Sequence, residues 1–258
     1  GLNGVGTKAV NALSERFSVR SFRDGQSVEA TFTRGKLHLE EGGEAVQEPN
    51  GTEISFVADP EIFGEVQFQE EMIRRRVRLY TYLNPNLTIV YNGTPYLSQG
   101  GLLDLVNEET EAEALYPPLQ FREAGLDLSL THTGRYQENY FSFVNGQFTA
   151  HGGTHLSAFR EGVLKAVNEF SKKRFEGDDV REGLVGAIAI KLKEPVFESQ
   201  TKNKLGNTEI RSELMNRVHD VVLDLLHRNP RTAETILLKV EETQKLRKEL
   251  QSVKKIAR

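Results

Sequence analysis

The chain has 258 residues, 27% of them charged and 38% hydrophobic, with a formal net charge of −4. That length and balance suit one large or two ordinary folded domains, and bulk charge does not mark a nucleic-acid binder. The absence of cysteine excludes disulfides, thiolate metal sites and a cysteine nucleophile and fits a reducing cytoplasm, and no apolar run approaches the ~20 residues of a membrane span.

The first stretch, GLNGVGTKAVNALS, sets Gly1, Gly4 and Gly6 ahead of a predicted helix. Such glycines let backbone approach an anion closely, and the helix end adds unpaired N–H groups. The same glycines also fit an ordinary turn, and no strand precedes them, so a dinucleotide fingerprint does not apply. An opening inside a glycine loop, with no basic and apolar leader, leads to the expectation of an excised or partly observed fragment.

Val10, Leu13 and Phe17 keep helical spacing. FSVRSFRDGQSVEATF then alternates about Asp24-Gly25, a hairpin signal. Asn50-Gly51 turns into a strand over 52–57. VQFQEEMIRRRVRLYTYLNP reads as an amphipathic helix with Glu70/Arg74 and Glu71/Arg75 at i,i+4, stopping near Asn84-Pro85. LTIVYNGTPYL is a hairpin about Asn92-Gly93. The acidic stretch DLVNEETEAEALYPPLQFRE, with Pro117-Pro118, marks a boundary near residue 108. Beyond it the pattern predicts strands around 119–133 and 138–146, a helix over 154–175, the apolar strand LVGAIAIKL, a helix over 208–227 ending at Asn229-Pro230, and a last helix from about 231. Two α/β domains follow, 1–108 and 109–258.

Several segments carry candidate chemistry. ESQTKNKLGN, 198–207, is a loop between an apolar strand and a helix. It offers the Gln200 amide and the mobile Lys202 ammonium, which suits a terminal phosphate and equally fits a solvated loop. Thr52 at a strand start fits a water-bridged contact to a base or a plain turn cap. His151 and His155 in HGGTH lack a third ligand at metal spacing, so the segment reads as a turn into a helix with Thr154 as N-cap. GDDVREG reads as a helix start capped by Asp178 or Asp179. Ser14 and Ser199 lack a nucleophile-elbow setting. KLRKELQSVKKIAR, from Lys245, is strongly basic, and Leu246, Leu250 and Val253 call for one packed face beside a charged one.

Taken in order, GLNGVGTKAVNALS, PNGTEISF, HGGTHLSAFREGVLKAVN, GDDVREGLVGAIAIKL and FESQTKNKLGN resemble the B subunit of bacterial type IIA topoisomerases, DNA gyrase B and topoisomerase IV B, over essentially the whole chain. The resemblance implies an α/β (α+β) fold: the C-terminal part of a GHKL ATPase sandwich over 1–108, then a ribosomal-S5-domain-2-like transducer over 109–258. It implies ATP binding, with backbone around Gly1, Asn3, Gly4, Val5 and Gly6 cradling phosphates. Asn3 stands where gyrase commonly has histidine and retains hydrogen-bond donors. Thr52 would hold adenine through water, Arg23 would sit at the pocket rim, and Gln200 and Lys202 would reach the terminal phosphate, Lys202 offsetting charge as it leaves.

The family's general-base glutamate, magnesium-binding asparagine and adenine-reading aspartate are expected upstream of residue 1, as is its dimerisation arm. The chain alone is therefore expected neither to hydrolyse ATP nor to dimerise as the parent does. The implied partners are DNA, the A subunit and a second copy of the B subunit. Two rival readings remain at this stage: another GHKL ATPase such as a MutL-like mismatch-repair protein, and a non-catalytic transducer-like module that binds DNA or a partner.

Overall fold

The computed structural model describes residues 4–256, without the side chains of 255 and 256. The chain divides into two compact units, Gly1–Glu70 and Glu71–Arg258. Residues 71–108, upstream of the composition change, thus pack with the second unit.

The first unit starts with helix α1 (Gly6–Ala12) and continues through β1 (Ser14–Arg23), β2 (Gln26–Thr33), β3 (Lys36–Ala45) and β4 (Gly51–Ala58) to the short helix α2 (Pro60–Phe63). The four strands form one antiparallel sheet in the order β3-β2-β1-β4. The Asp24-Gly25 hairpin is as expected: Arg23 pairs with Gln26, and both turn residues have positive φ, the two-residue geometry that matches strand twist. Two expectations change. The helix ends at Ala12, so Phe17 lies in β1, where it is buried against Phe32 in an edge-on ring contact. β3 was not foreseen, because all ten of its residues are exposed and its sequence has no buried face to betray a period of two.

Asp59 ties this unit together. Its carboxylate accepts from Arg34 Nε at 2.7 Å and caps α2 through the Glu61 N–H, while its own N–H donates to Leu13 O. The Arg34 side-chain hydrogen bond holds the Asp59 carboxyl below its usual range.

The second unit begins with α3 (Glu70–Leu83), the hairpin β5 (Ile89–Tyr91) and β6 (Thr94–Tyr96), and α4 (Leu102–Thr110). It continues with β7 (Leu119–Glu123), β8 (Leu126–His132), β9 (Asn139–Val144), β10 (Gln147–Phe148), α5 (Thr154–Ser171), α6 (Gly177–Arg181), β11 (Leu184–Ile190), α7 (Arg211–Arg228) and α8 (Pro230–Ile256). β7 to β11 form a five-stranded sheet in the order β10-β9-β11-β8-β7, with β9 and β11 parallel and the other pairs antiparallel. The strand expected over 119–133 is two strands turning at Ala124-Gly125, and α4 emerges from the acidic stretch, where no helical period had been visible.

Both faces of this sheet are covered, which is why LVGAIAI is apolar without alternation. Leu184 and Ile188 face a core built with α5, α7 and α8. Val185 and Ala187 face a second core with Leu79 and Tyr82 of α3 and Leu102 and Leu105 of α4. α5 packs on α7 at Gly162, where a Cβ would stand 2.8 Å from Val218 Cβ and 2.9 Å from Met215 O.

The cap of α6 is Glu176, not Asp178 or Asp179. Glu176 and Asp179 form a reciprocal capping box. Asp179 also serves a second contact. Arg247 of α8 binds its carboxylate through two nitrogens, at 2.7 and 3.0 Å, and also reaches Glu176. α8 therefore docks through Val240, Thr243 and Arg247, and the expected apolar contact face, Leu246, Leu250 and Val253, is exposed among the described residues.

Gly162→Ala tests the α5–α7 contact. In an open helix this change adds up to about 1 kcal/mol, but here the new methyl meets backbone and a branched side chain that cannot swing away, an overpacking cost of about 1–3 kcal/mol. Urea unfolding is expected to show a net loss of about 1–2 kcal/mol; a gain in stability would refute the close approach.

Candidate functional site

In the first unit, Gly4 has φ 59°, Val5 is the exposed N-cap residue of α1, and Gly6 is the first residue of that seven-residue helix. Gly1 and Asn3 lie outside the described residues. Thr52 is exposed on β4 opposite Ser21 of β1, and Arg23 ends the same β1 strand with its side chain 86% exposed, 3.7 Å from Asp24. Register therefore brings Thr52 and Arg23 to one end of the sheet, beside the Asp24 turn, which Asn50 pins by accepting from Asp24 N at 2.8 Å. The far end of β1 meets α1, whose Ala12 abuts Gly35.

In the second unit, Gln200 and Lys202 share one tight turn: Lys202 N–H donates to Ser199 O at 3.0 Å. Gln200 is exposed and Lys202 half-buried. Lys202 has φ 56°, in the left-handed region that non-glycine residues rarely occupy. Among the described residues nothing pairs with its ammonium, whereas the neighbouring Lys204 is bound to Glu198 at 3.0 Å. A free ammonium on a shaped turn is what an anion needs. It offers a point charge and movable donors, with only the side chain left to order.

Behind this turn stands HGGTH. Thr154 is not the N-cap of α5: that position is Gly153, with φ 122°, and Thr154 is the first helical residue. Gly153 is placed there by Leu205, whose backbone runs so close that a Cβ on Gly153 would lie 2.3 Å from Leu205 O. His155 is fully buried. Thr149 Oγ1–H donates to Ser142 O, so the His155 Nε2–H donates to Thr149 Oγ1 at 2.9 Å and Nδ1 has no partner. Burial pushes its pKa down to about 4.

A second buried histidine, His132, donates Nε2–H to Val180 O at 2.7 Å and accepts from the Tyr116 hydroxyl. Its pKa is also lowered by burial to about 4. Among the described residues no three or more His, Asp or Glu side chains converge to hold a metal ion. Likewise, no helix among them is long and apolar enough to cross a membrane.

Among the described residues, two of the hollows lie one in each unit. One of about 880 Å³ in the second unit is lined by Arg122, Asp127 and Lys191; one of about 300 Å³ in the first is lined by Val10, Phe56 and Phe68. Neither includes a site residue expected from sequence. Sequence reasoning also missed the pairing of Gly153 with Leu205. The adjacent glycines were its one visible trace.

Comparison with known proteins gives a consistent result. The family model described as DNA gyrase B matches residues 97–256. The chain is 47% identical over 259 residues to the B subunit of DNA topoisomerase 4 from Borreliella burgdorferi, covering all of this chain and 43% of that protein. It is 33% identical to the B subunit of DNA gyrase from Thermus thermophilus, again over the whole chain and 44% of the relative. It thus spans less than half the length of these relatives. Among solved structures, the 43K ATPase domain of Thermus thermophilus gyrase B, in complex with an aminocoumarin, superposes with TM-score 0.80 at 31% identity, over 99% of this chain and 75% of that one.

The two buried histidines fix a pH dependence. Each has a folded pKa near 4 against an ordinary 6.5, so the unfolded chain binds more protons between those values. The contribution of these two groups to stability is full above about pH 6.5 and declines towards pH 4, by about 1.4 kcal/mol per pH unit for each histidine. Urea unfolding across this window is expected to show a shallower slope in His155→Gln, by about one histidine's share; parallel curves would refute its burial as the neutral form.

Proposed function

The chain belongs to the DNA gyrase B family, and from that premise we propose that it is part of the ATPase region of a type II DNA topoisomerase. The observation that carries the reading is Lys202, an ammonium with no partner among the described residues, on a preshaped turn in a chain that also holds Gly4 and Gly6 at the start of α1. In this reading the region 1–108 is the C-terminal part of the ATP-binding domain and 109–258 the transducer. The 47% identity to a topoisomerase 4 B chain, against 33% to a gyrase B chain, favours topoisomerase IV.

ATP is read at two places. Backbone at Gly1, Asn3, Gly4, Val5 and Gly6 cradles phosphates, Thr52 holds adenine through water, and Arg23 guards the rim. Gln200 and Lys202 meet the terminal phosphate from the transducer. A contact that exists only while that phosphate is attached biases the conformational equilibrium, and hydrolysis releases it. Lys202 also offsets charge on the departing phosphoryl group. The cycle clamps and releases a transported DNA duplex in a cytoplasmic complex with the A subunit and a second copy of the B subunit. Magnesium would accompany ATP, held by residues outside this chain, and the general base is assigned to none of these 258 residues.

Two measurements test this. Lys202→Ala in the full-length protein is expected to fold normally and to lose about 10²-fold in ATP turnover, the scale of removing one transition-state donor; wild-type turnover would refute the role. The 258-residue chain by itself, holding only part of the proposed pocket, is expected to show no shift in Tm with a non-hydrolysable ATP analogue and magnesium. A competent site at ~100 times its Kd would add roughly 2.7 kcal/mol, and such a shift would overturn the assignment of essential residues outside the chain.

A further inference from the structure

The loop that carries Lys202 is fastened twice. Its own stem closes as a small hairpin: Phe197 bridges Leu205, Gly206 N donates to Val196 O at 2.8 Å, and Glu198 N donates to Lys204 O at 3.0 Å. The far limb of that hairpin is then stitched to the turn before α5. His151 N donates to Asn203 O at 2.9 Å, Leu205 N to Gly152 O at 3.0 Å, and Thr154 N to Leu205 O at 3.2 Å. These bonds engage residues one and three places beyond Lys202. Between them the Leu205 side chain, 1% exposed, enters the core shared by α5 and α7.

The joint is tightly packed and leaves no room for gradual sliding. Gly153 admits no side chain against the Leu205 backbone, so the two strands of chain lie at their closest possible approach. Sliding the loop by one residue would break all three bonds to the α5 turn and drag an apolar side chain out of a packed core. Packed elements of this kind move by jumps, not by gradual deformation. Beneath the joint, Gly152 N donates to Thr149 O, and Thr149 bonds both His155 of α5 and Ser142 of β9. The hydrogen-bonded chain thus runs from the Lys202 turn to the first turn of α5 and into the sheet.

We propose that Leu205 is the positioning residue for Lys202, and that the Leu205–Gly153 joint is where a load on the Lys202 ammonium passes into α5. The second half of this statement rests on the reading of Lys202 as a phosphate contact; the first half does not. Without Leu205 seated, the turn loses its fixed stem, and Lys202 is spread over many positions instead of one. Preorganisation of this kind is worth most in the transition state, so its loss falls on kcat more than on KM.

The test uses the full-length protein with Leu205→Ala, and Leu205→Met as the volume-conserving control. Backbone amide exchange is measured first, without nucleotide. The amides of Glu198, Lys202 and Gly206 are expected to exchange about tenfold faster in Leu205→Ala, with those of α7 unchanged. ATP kcat is then expected to fall about tenfold with little change in KM, and Leu205→Met to restore both readouts. Wild-type exchange in the loop, or loosening of α7 in step with it, overturns the proposal and makes Leu205 a core filler. Loosened amides with wild-type turnover, where Lys202→Ala lowers turnover about 10²-fold, overturn the positioning role. Wild-type turnover in both variants instead overturns the phosphate reading of Lys202, and amide exchange alone then decides the joint. Leu205→Val carries the same comparison if the alanine variant does not fold.

Discussion

Strand β11 has no solvated face, and much of the second unit follows from that. Its residues are committed alternately to two cores, Leu184 and Ile188 to one and Val185 and Ala187 to the other. An apolar strand of this kind is stable only when both sides are covered, each large side chain contributing roughly 1.5–3 kcal/mol if fully buried. Because β11 runs parallel to β9, a crossover must join them, and α5 with α6 supplies it. Phe159 of α5 then meets the sheet at Gly186, where a side chain would stand 2.7 Å from the ring. Gly162, farther along α5, admits α7 equally closely. Small residues at the sheet and on α5 set the spacing of the whole layer, and with it the position of the turn that leads into α5.

The first unit is built on a different balance. Phe17 is its one buried large apolar residue among those described, while Leu37, Ile54, Phe56 and Phe68 are exposed. Its sheet is held by ladders, by two-residue turns and by the Arg34–Asp59 pair rather than by a wide core. The consequence is a division of roles along the chain. Thr52 and Arg23 sit on a thinly packed sheet, exposed and with few partners, and Gly4 and Gly6 lie at the start of α1. Lys202 sits on a loop whose stem reaches a fully buried leucine.

What was legible in the sequence was what is locally encoded. Asp24-Gly25 and Asn92-Gly93 announce their hairpins because the turn geometry needs residues tolerant of positive φ, whatever the tertiary setting. α3 shows its period, and LVGAIAIKL its two-sided burial. β3 was hidden because an exposed edge strand, KLHLEEGGEA, has no inward face to alternate. α4 was hidden in an acidic stretch where charge masks its inward apolar residues. The cap assignments failed for a related reason. Thr154 and Asp178 have the right chemistry, but the neighbouring segment decides: Leu205 claims the space at Gly153, and Arg247 draws on Asp179 from 68 residues away. The candidate site residues were named through family resemblance, whereas the Gly153–Leu205 joint had no signal in the sequence beyond the adjacent glycines, since no local rule connects positions 153 and 205.

The backbone at Lys202 sharpens the argument about that residue. A left-handed φ at a side chain other than glycine, asparagine or aspartate costs roughly 1–2 kcal/mol, and it persists only where surrounding bonds over-determine it. Here they do: the Ser199 carbonyl fixes one side of the turn, and Asn203 and Leu205 fix the other. Glycine at this position would relieve the strain and leave the turn intact. It would also remove the ammonium. Asn203, one residue on, tolerates the left-handed region better than lysine does, yet the strained position carries the cation. Structural economy therefore does not account for Lys202. A turn that holds a cation without a partner among the described residues, in an unfavourable conformation and on a stem anchored in a core, is consistent with the anion contact proposed for it.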